Sequence, residues 1–337
     1  MYLRKVIRFS AILWCLVIWS ASTFAQGFHF LSFPSDPQLA ALGGMNISLP
    51  SRNVGTSFKN PALLRPTMHG QAAFAVNSLP ANIKNLQAVT AYQLPNRRWM
   101  MGGGVQYFNY GTIPQTDASG NELGNFRPNE YTVQWSMAAP YEMKWHYGFS
   151  LKWVYASYGS FKSYGVAMDA GISYNDSLQG IHMGFVLQNM GKSLKSFDGT
   201  TMNEMPFDMQ WGISKQLEHA PISLSLQLHH LHQFDIADAY TNTATVLTKE
   251  SFLKEAFRHM IAGAQIYWGD RIEINTGFNY LRRNELSVGN GGNGLAGFSM
   301  GAGWVDQKLQ VRFTQTYYQS GVRLYQLGLN LSPFSNE

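Results

Sequence analysis

Between residue 71 and the C-terminus the chain alternates apolar and polar residues at a period of two in fourteen separate segments, and this repeat is the tightest constraint on its fold. Successive side chains of a strand point to opposite faces, so each segment reads as a strand with one greasy and one polar side. In 130–138, Tyr131, Val133, Trp135 and Met137 share a face opposite Thr132, Gln134 and Ser136. Leu309, Val311 and Phe313 likewise oppose Gln310, Arg312 and Thr314, and Tyr325, Leu327, Leu329 and Leu331 form one edge of the last segment. The pattern predicts strands over 71–77, 86–93, 99–109, 130–138, 145–155, 166–174, 182–189, 207–214, 222–229, 260–267, 272–280, 297–304, 308–316 and 324–331. Segments of this length suit tilted strands crossing a bilayer, and an even count returns both ends of the chain to one side.

The connections give an independent check. Numbered alternately, the long ones, 110–129, 190–206, 230–259 and 281–296, all fall at one end, and the tight ones, 94–98, 139–144, 175–181, 215–221, 268–271 and 305–307, at the other. A single misassigned strand would scatter the long loops over both ends. The expected fold is therefore all-β, a 14-stranded antiparallel transmembrane β-barrel with its long loops outside. Pro95-Asn96, Asn175-Asp176 and Gly269-Asp270 supply turn chemistry at the tight end. Aromatic residues near strand ends (Trp99, Tyr107-Phe108, Trp145, Tyr174, Tyr267-Trp268, Trp304 and Tyr317-Tyr318) suit the interfacial girdles of such barrels.

Composition agrees. Only 13% of residues are charged, against about 25% in soluble domains, while 14% are aromatic. Beyond residue 25 no apolar run reaches the ~18 residues of a membrane helix, and the mean hydropathy is −0.17. A barrel reconciles few charges with modest hydropathy, because lipid-facing and lumen-facing residues alternate.

Residues 1–25 carry Arg4, Lys5 and Arg8, an apolar run from Phe9 to Trp19, and Thr23-Phe24-Ala25, the layout of a secretory signal peptide. Cys15 follows Trp14 inside the apolar run, so no lipid anchor is expected, and its removal leaves no cysteine for a disulfide or a thiolate site. Cleavage takes three of the 25 basic residues and none of the 20 acids, leaving a net charge near +2. Such a balance, without a basic cluster after residue 8, gives no electrostatic footprint for nucleic acid.

Segment 26–70 lacks the repeat and is rich in Pro, Gly and Ser, too long for a mere tail. It is expected to form a plug or hatch in the mouth or lumen, leaving 71–337 as the barrel. Within loop 230–259, Phe252, Ala256, Phe257 and Met260 lie at helical spacing, with Thr248 or Ser251 as N-cap.

Certain stretches carry a resemblance: Phe28 to Phe33, Ala40 to Gly44 with Asn46-Ile47-Ser48, Lys59 to Leu64, Gln106 to Gly111, and Gly120 to Phe126. Together they resemble the PorV/PorQ family of the Bacteroidetes type IX secretion system. One departure is Pro50-Ser51-Arg52, where the family pattern leads one to expect acidic residues. The element Asn60, Pro61, Ala62 is also similar to the N-terminal hatch of the wider FadL-like barrel superfamily. The resemblance implies an outer-membrane component of the attachment complex. Its partners would be a PorZ-like surface protein with PorU and PorV-like components, where cargo is joined to anionic lipopolysaccharide. The alternative implied by the superfamily is a channel for small hydrophobic molecules. Gly102, Gly103 and Gly104 in the third strand fit either the kink that opens the wall of FadL-like transporters or close approach of the plug.

Chemistry is harder to find. His229, His230 and His232 offer imidazoles, but consecutive strand residues point to opposite faces, so His229 and His230 are not expected to share an ion. The run 289–294 is glycine- and asparagine-rich, yet no lysine follows as in a phosphate cradle, so it reads as a surface loop. Serine, histidine and aspartate occur without a Gly-x-Ser-x-Gly frame. No catalytic residue, metal or cofactor is nominated, and the partner-binding surface is assigned to the loops 110–129, 190–206, 230–259 and 281–296.

Overall fold

The computed structural model describes residues 27–333, apart from 96–97, 198–203, 235, 237–251, 270, 287–293 and 320. The signal-peptide segment, the proposed caps Thr248 and Ser251 and most of the 289–294 run lie outside the described residues.

The strands are β1 (Ala72–Ser78), β2 (Lys84–Gln93), β3 (Met100–Asn109), β4 (Ile113–Thr116), β5 (Glu122–Phe126), β6 (Asn129–Tyr141), β7 (Trp145–Tyr158) and β8 (Phe161–Asp176). They continue with β9 (Ile181–Lys195), β10 (Asp208–Gln216), β11 (Ile222–Leu228), β12 (Met260–Trp268), β13 (Ile272–Asn279), β14 (Phe298–Val305), β15 (Leu309–Gln319) and β16 (Val322–Leu331). Fourteen of them close into one antiparallel barrel, and β1 seals the seam by pairing with both β2 and β16, Phe74 lying opposite Ala88 and Leu329. Each expected strand is present, most of them a few residues longer at one end. The remaining pair, β4 and β5, forms a separate hairpin inside connection 110–128. Four- and five-residue strands are too short to show a period, so the hairpin is not legible in the sequence pattern.

The two faces are inverted relative to a water-soluble sheet. Phe74, Leu86, Val133, Trp135, Leu151, Trp153, Leu224, Phe313 and Leu327 stand exposed on the outer wall. Gln106, Thr132, Gln134, Ser150, Gln227, Gln310 and Gln326 are buried inside. Outward apolar area of this extent is stable only against lipid. Among the described residues no helix is long and apolar enough to cross a membrane.

Aromatics collect at the short-turn rim, where Tyr92, Tyr141, Trp145, Trp268 and Trp304 are exposed and Trp99 meets Tyr147 edge-on at 5.7 Å. The expected doublets need a correction, since adjacent residues of a strand cannot both face lipid. Phe108 is buried against Phe30 and Phe33, and the Tyr267 hydroxyl donates inward to Gln265 Oε1 (2.8 Å).

Among the described residues the loops contain two short α-helices besides the hatch helix α1 (Pro37–Ala41), namely α2 (Phe252–Arg258) and α3 (Tyr280–Glu285). The second matches the helical spacing read around Phe252. Asn279 caps α3, its Oδ1 accepting from Arg282 N at 2.9 Å.

Candidate functional site

The candidate site is the lumen together with its long-loop mouth. Residues 27–70 run through the lumen from one end to the other. At the long-loop end Gly27 N donates to Glu204 O (3.1 Å), and at the short-turn end His69 Nδ1 accepts from Gln93 N (3.0 Å).

Short side-chain caps fold this hatch locally. The Asp36 carboxylate accepts from Gln38 N and Leu39 N to start α1, and from Asn53 Nδ2 at 2.7 Å. Asn46 Oδ1 accepts from Leu49 N, Asn53 Oδ1 from Gly55 N, and Asn60 Oδ1 from Ala62 N. These are the Asx-type turns that let a chain without regular structure hold one shape.

The polar lumen face is largely committed to this guest. A buried segment without a sheet partner must satisfy its backbone groups elsewhere. Here the wall does so. Gln227 Oε1 accepts from Ile47 N, Ser299 Oγ from Gly43 N, and Thr314, Gln326 and Asn77 donate to Pro37 O, Pro34 O and Ser35 O. Gln188 donates to Lys59 O and Ser173 to Ala62 O. The apolar hatch side chains Ile47, Val54, Leu63, Leu64 and Met68 are almost completely buried. One cavity, between Asp36, Asn53, Gln87 and Arg312, measures about 10 Å³, room for a single water.

Asn60, Pro61 and Ala62 sit where the hatch approaches the wall most closely. A Cβ on Gly148 would lie 2.6 Å from the Pro61 carbonyl carbon, and one on Gly171 2.2 Å from Asn60 Oδ1. Gly184 receives Ile47 and Gly277 receives Leu42 and Gly43 in the same way, at 2.2 and 2.1 Å. The third-strand glycines belong to this set: Gly102 faces Leu64 and Gly104 faces the Phe58 ring. Pairing of β3 with β2 and β6 continues without a register shift through Gly102, Gly103 and Gly104. The ladder is unbroken there, and Gly102 and Gly104 admit the close approach of the hatch, while Gly103 between them has no hatch atom within 4 Å.

At the mouth, Phe30 and Phe33 meet Phe108 and Phe28 meets Phe197, with Tyr110 and Tyr158 beside them. Both tyrosine hydroxyls donate to the Glu130 carboxylate, Tyr158 at 2.7 Å. Above this plug the described loops leave apolar side chains in the open: Leu123 on the β4–β5 hairpin, and Phe234, Phe252, Leu253 and Phe257 around α2, with Phe252 68% exposed.

The histidines depart from expectation. His230 follows the end of β11 and adopts φ +55°, which breaks the alternation and turns its ring back so that its Nδ1 meets His229 Nδ1. Asp208 closes the group, its Oδ1 accepting from His230 N at 2.6 Å. A left-handed histidine is uncommon and is not legible in a period-two pattern.

These features define a class: a hatch-filled, 14-stranded outer-membrane β-barrel of the FadL-like fold. Solved structures of similar fold include the two that follow. The TodX monoaromatic hydrocarbon channel (a deltaS2 mutant) superposes with a TM-score of 0.53 at 12% identity, covering 90% of this chain and 98% of its own. A Pseudomonas aeruginosa FadL homologue gives a TM-score of 0.50 at 10% identity, covering 89% and 98%. No protein-family model and no curated protein matches the chain by sequence.

Proposed function

We propose that this chain is a non-enzymatic outer-membrane anchor of the type IX secretion system, holding a soluble surface partner through its long-loop end. The observation that carries the reading is the hatch. Many of the wall's inward polar groups and glycines are engaged by residues 27–70, which suits a rigid platform better than a conduit. Long loops face the outside in bacterial barrels, and loops on a rigid scaffold are where binding residues concentrate. The family resemblance supplies the partner class, a PorZ-like protein beside PorU and PorV-like components, close to lipopolysaccharide. Phe234, Phe252, Leu253 and Phe257 supply an apolar surface of the kind that partner contacts bury.

Tagged protein solubilised from its native outer membrane in mild detergent should co-purify with a large soluble surface protein and secretion components. Phe252→Asp combined with Leu253→Asp should release that partner while the folded barrel keeps its gel mobility. Retention by the double variant would place the interface on other loops. The second reading, a channel for small hydrophobic molecules, rests on the fold shared with the TodX channel. Recovery of the barrel alone, carrying a bound apolar ligand, would put that reading first.

A further inference from the structure

The long-loop mouth holds a cluster that neither the anchor reading nor the fold calls for. Asp208 opens β10, and His229 and His230 follow β11, the strand paired with it. One ligand atom from each of the three residues lies within 4.8 Å of the other two. The two imidazoles meet Nδ1 to Nδ1. His229 is buried, and its other nitrogen, Nε2, has no protein hydrogen-bond partner among the described residues. The neighbouring His259 is committed elsewhere, with Nδ1 on His229 O (2.7 Å) and Nε2 on Phe234 O (3.0 Å).

We infer that Asp208, His229 and His230 form a transition-metal site whose occupant is Zn²⁺. Two neutral imidazoles and one carboxylate are borderline donors, which select zinc over calcium or magnesium. Their summed charge of −1 suits a divalent ion. Tetrahedral zinc spaces its ligand atoms about 3.3 Å apart, so small rotations of the His229 and His230 rings complete the geometry. The supporting shell is already built. His230 N donates to Asp208 Oδ1 at 2.6 Å and Gln210 Nε2 to Asp208 Oδ2 at 2.7 Å, fixing the carboxylate as ligand-bearing carboxylates are fixed in known sites. His232 is exposed, its ring 6.0 Å from that of His230, placed to enter as a fourth ligand or to leave that position to water. The ion would fasten the first residues of the 229–259 connection to the top of β10.

The test uses full-length protein without a polyhistidine tag, purified in detergent, treated with chelator and titrated with ZnCl₂ by calorimetry. One ion per chain is expected, with a dissociation constant at least tenfold weaker in His230→Gln and in Asp208→Asn, and unchanged in His219→Ala. Should those variants lose the heat-dependent gel shift of a folded barrel, CoCl₂ added to the unsubstituted protein decides. Intense visible bands mark a four- or five-coordinate site with nitrogen ligands and sustain the assignment. The weak spectrum of the hydrated ion overturns it, as does zinc binding that the variants leave unaltered.

Discussion

Replacing Lys152 by methionine tests how strongly a buried charge holds the barrel to its loops. Lys152 Nζ donates to Asp169 Oδ1 (2.9 Å) and Asn189 Oδ1 (2.8 Å), and lies 2.7 Å from Asp169 Oδ2. The two charged side chains are 3% and 0% exposed. Methionine keeps the length and removes the cation. Asp169 would retain Ser150 Oγ at 2.7 Å and Asn189 N at 2.8 Å, but its negative charge would stand uncompensated in the wall. Breaking a buried pair from one side costs about 3–5 kcal/mol, whereas replacing both partners by apolar groups is often near neutral. Urea unfolding in micelles, followed by tryptophan fluorescence, should show that loss for Lys152→Met and recover at least half of it in Lys152→Met/Asp169→Leu. The effect should reach the loops, because Asn189, at φ +56° beside the β8–β9 register shift, also holds Pro206 O through Nδ2 at 3.0 Å. Faster protease cleavage between β9 and β10 would report it. A loss under about 1 kcal/mol would refute the idea that the pair is structurally decisive.

Gly277→Val should force Leu42 and Gly43 off the wall, costing about 1–3 kcal/mol by overpacking and exposing the hatch to added protease in intact micelles. Asn60→Ala removes both the cap on Ala62 N and the bond from Nδ2 to Ile47 O (2.9 Å), a loss of about 0.5–2 kcal/mol measurable in the same urea titration. Hydrogen bonds from Asn121 and Ser119 hold the Asp117 carboxyl below the usual carboxylate range. Its support of the β4–β5 hairpin is therefore present above the ordinary carboxylate pKa and lost as pH falls through the lowered value. Hairpin amide signals in NMR should stay dispersed at neutral pH and collapse only in strong acid, and Asp117→Ala should abolish that dependence.

The fourteen strands were legible because a wall between lipid and a polar interior imposes one rule on every segment. Tyr131, Val133 and Trp135 must face out and Thr132, Gln134 and Ser136 in, whatever the neighbours are. Where two rules compete, the sequence is ambiguous. Tyr107 and Phe108 both look like girdle residues, and only the hatch phenylalanines decide which one turns inward. The glycines of β3 admit a kink or a guest, and the guest is more than 35 residues away in sequence, Leu64 against Gly102 and Phe58 against Gly104. The meeting of Asp208 with His229 and His230 depends on one backbone angle after a strand end, which no periodicity encodes.

The glycine seats also constrain the order of assembly. The hatch enters β1 at the short-turn end, yet its first described residue lies at the opposite mouth, and β1 joins β16 at the seam. Pushing Phe28 through a finished barrel would mean threading it past walls that leave the backbone no slack at Gly148, Gly184 and Gly277. A sheet that curls around the hatch, as a hoop is drawn around a mandrel, and closes at the β1–β16 seam avoids that threading. On that view residues 27–70 act as a template, and a barrel lacking them would have to choose its own curvature.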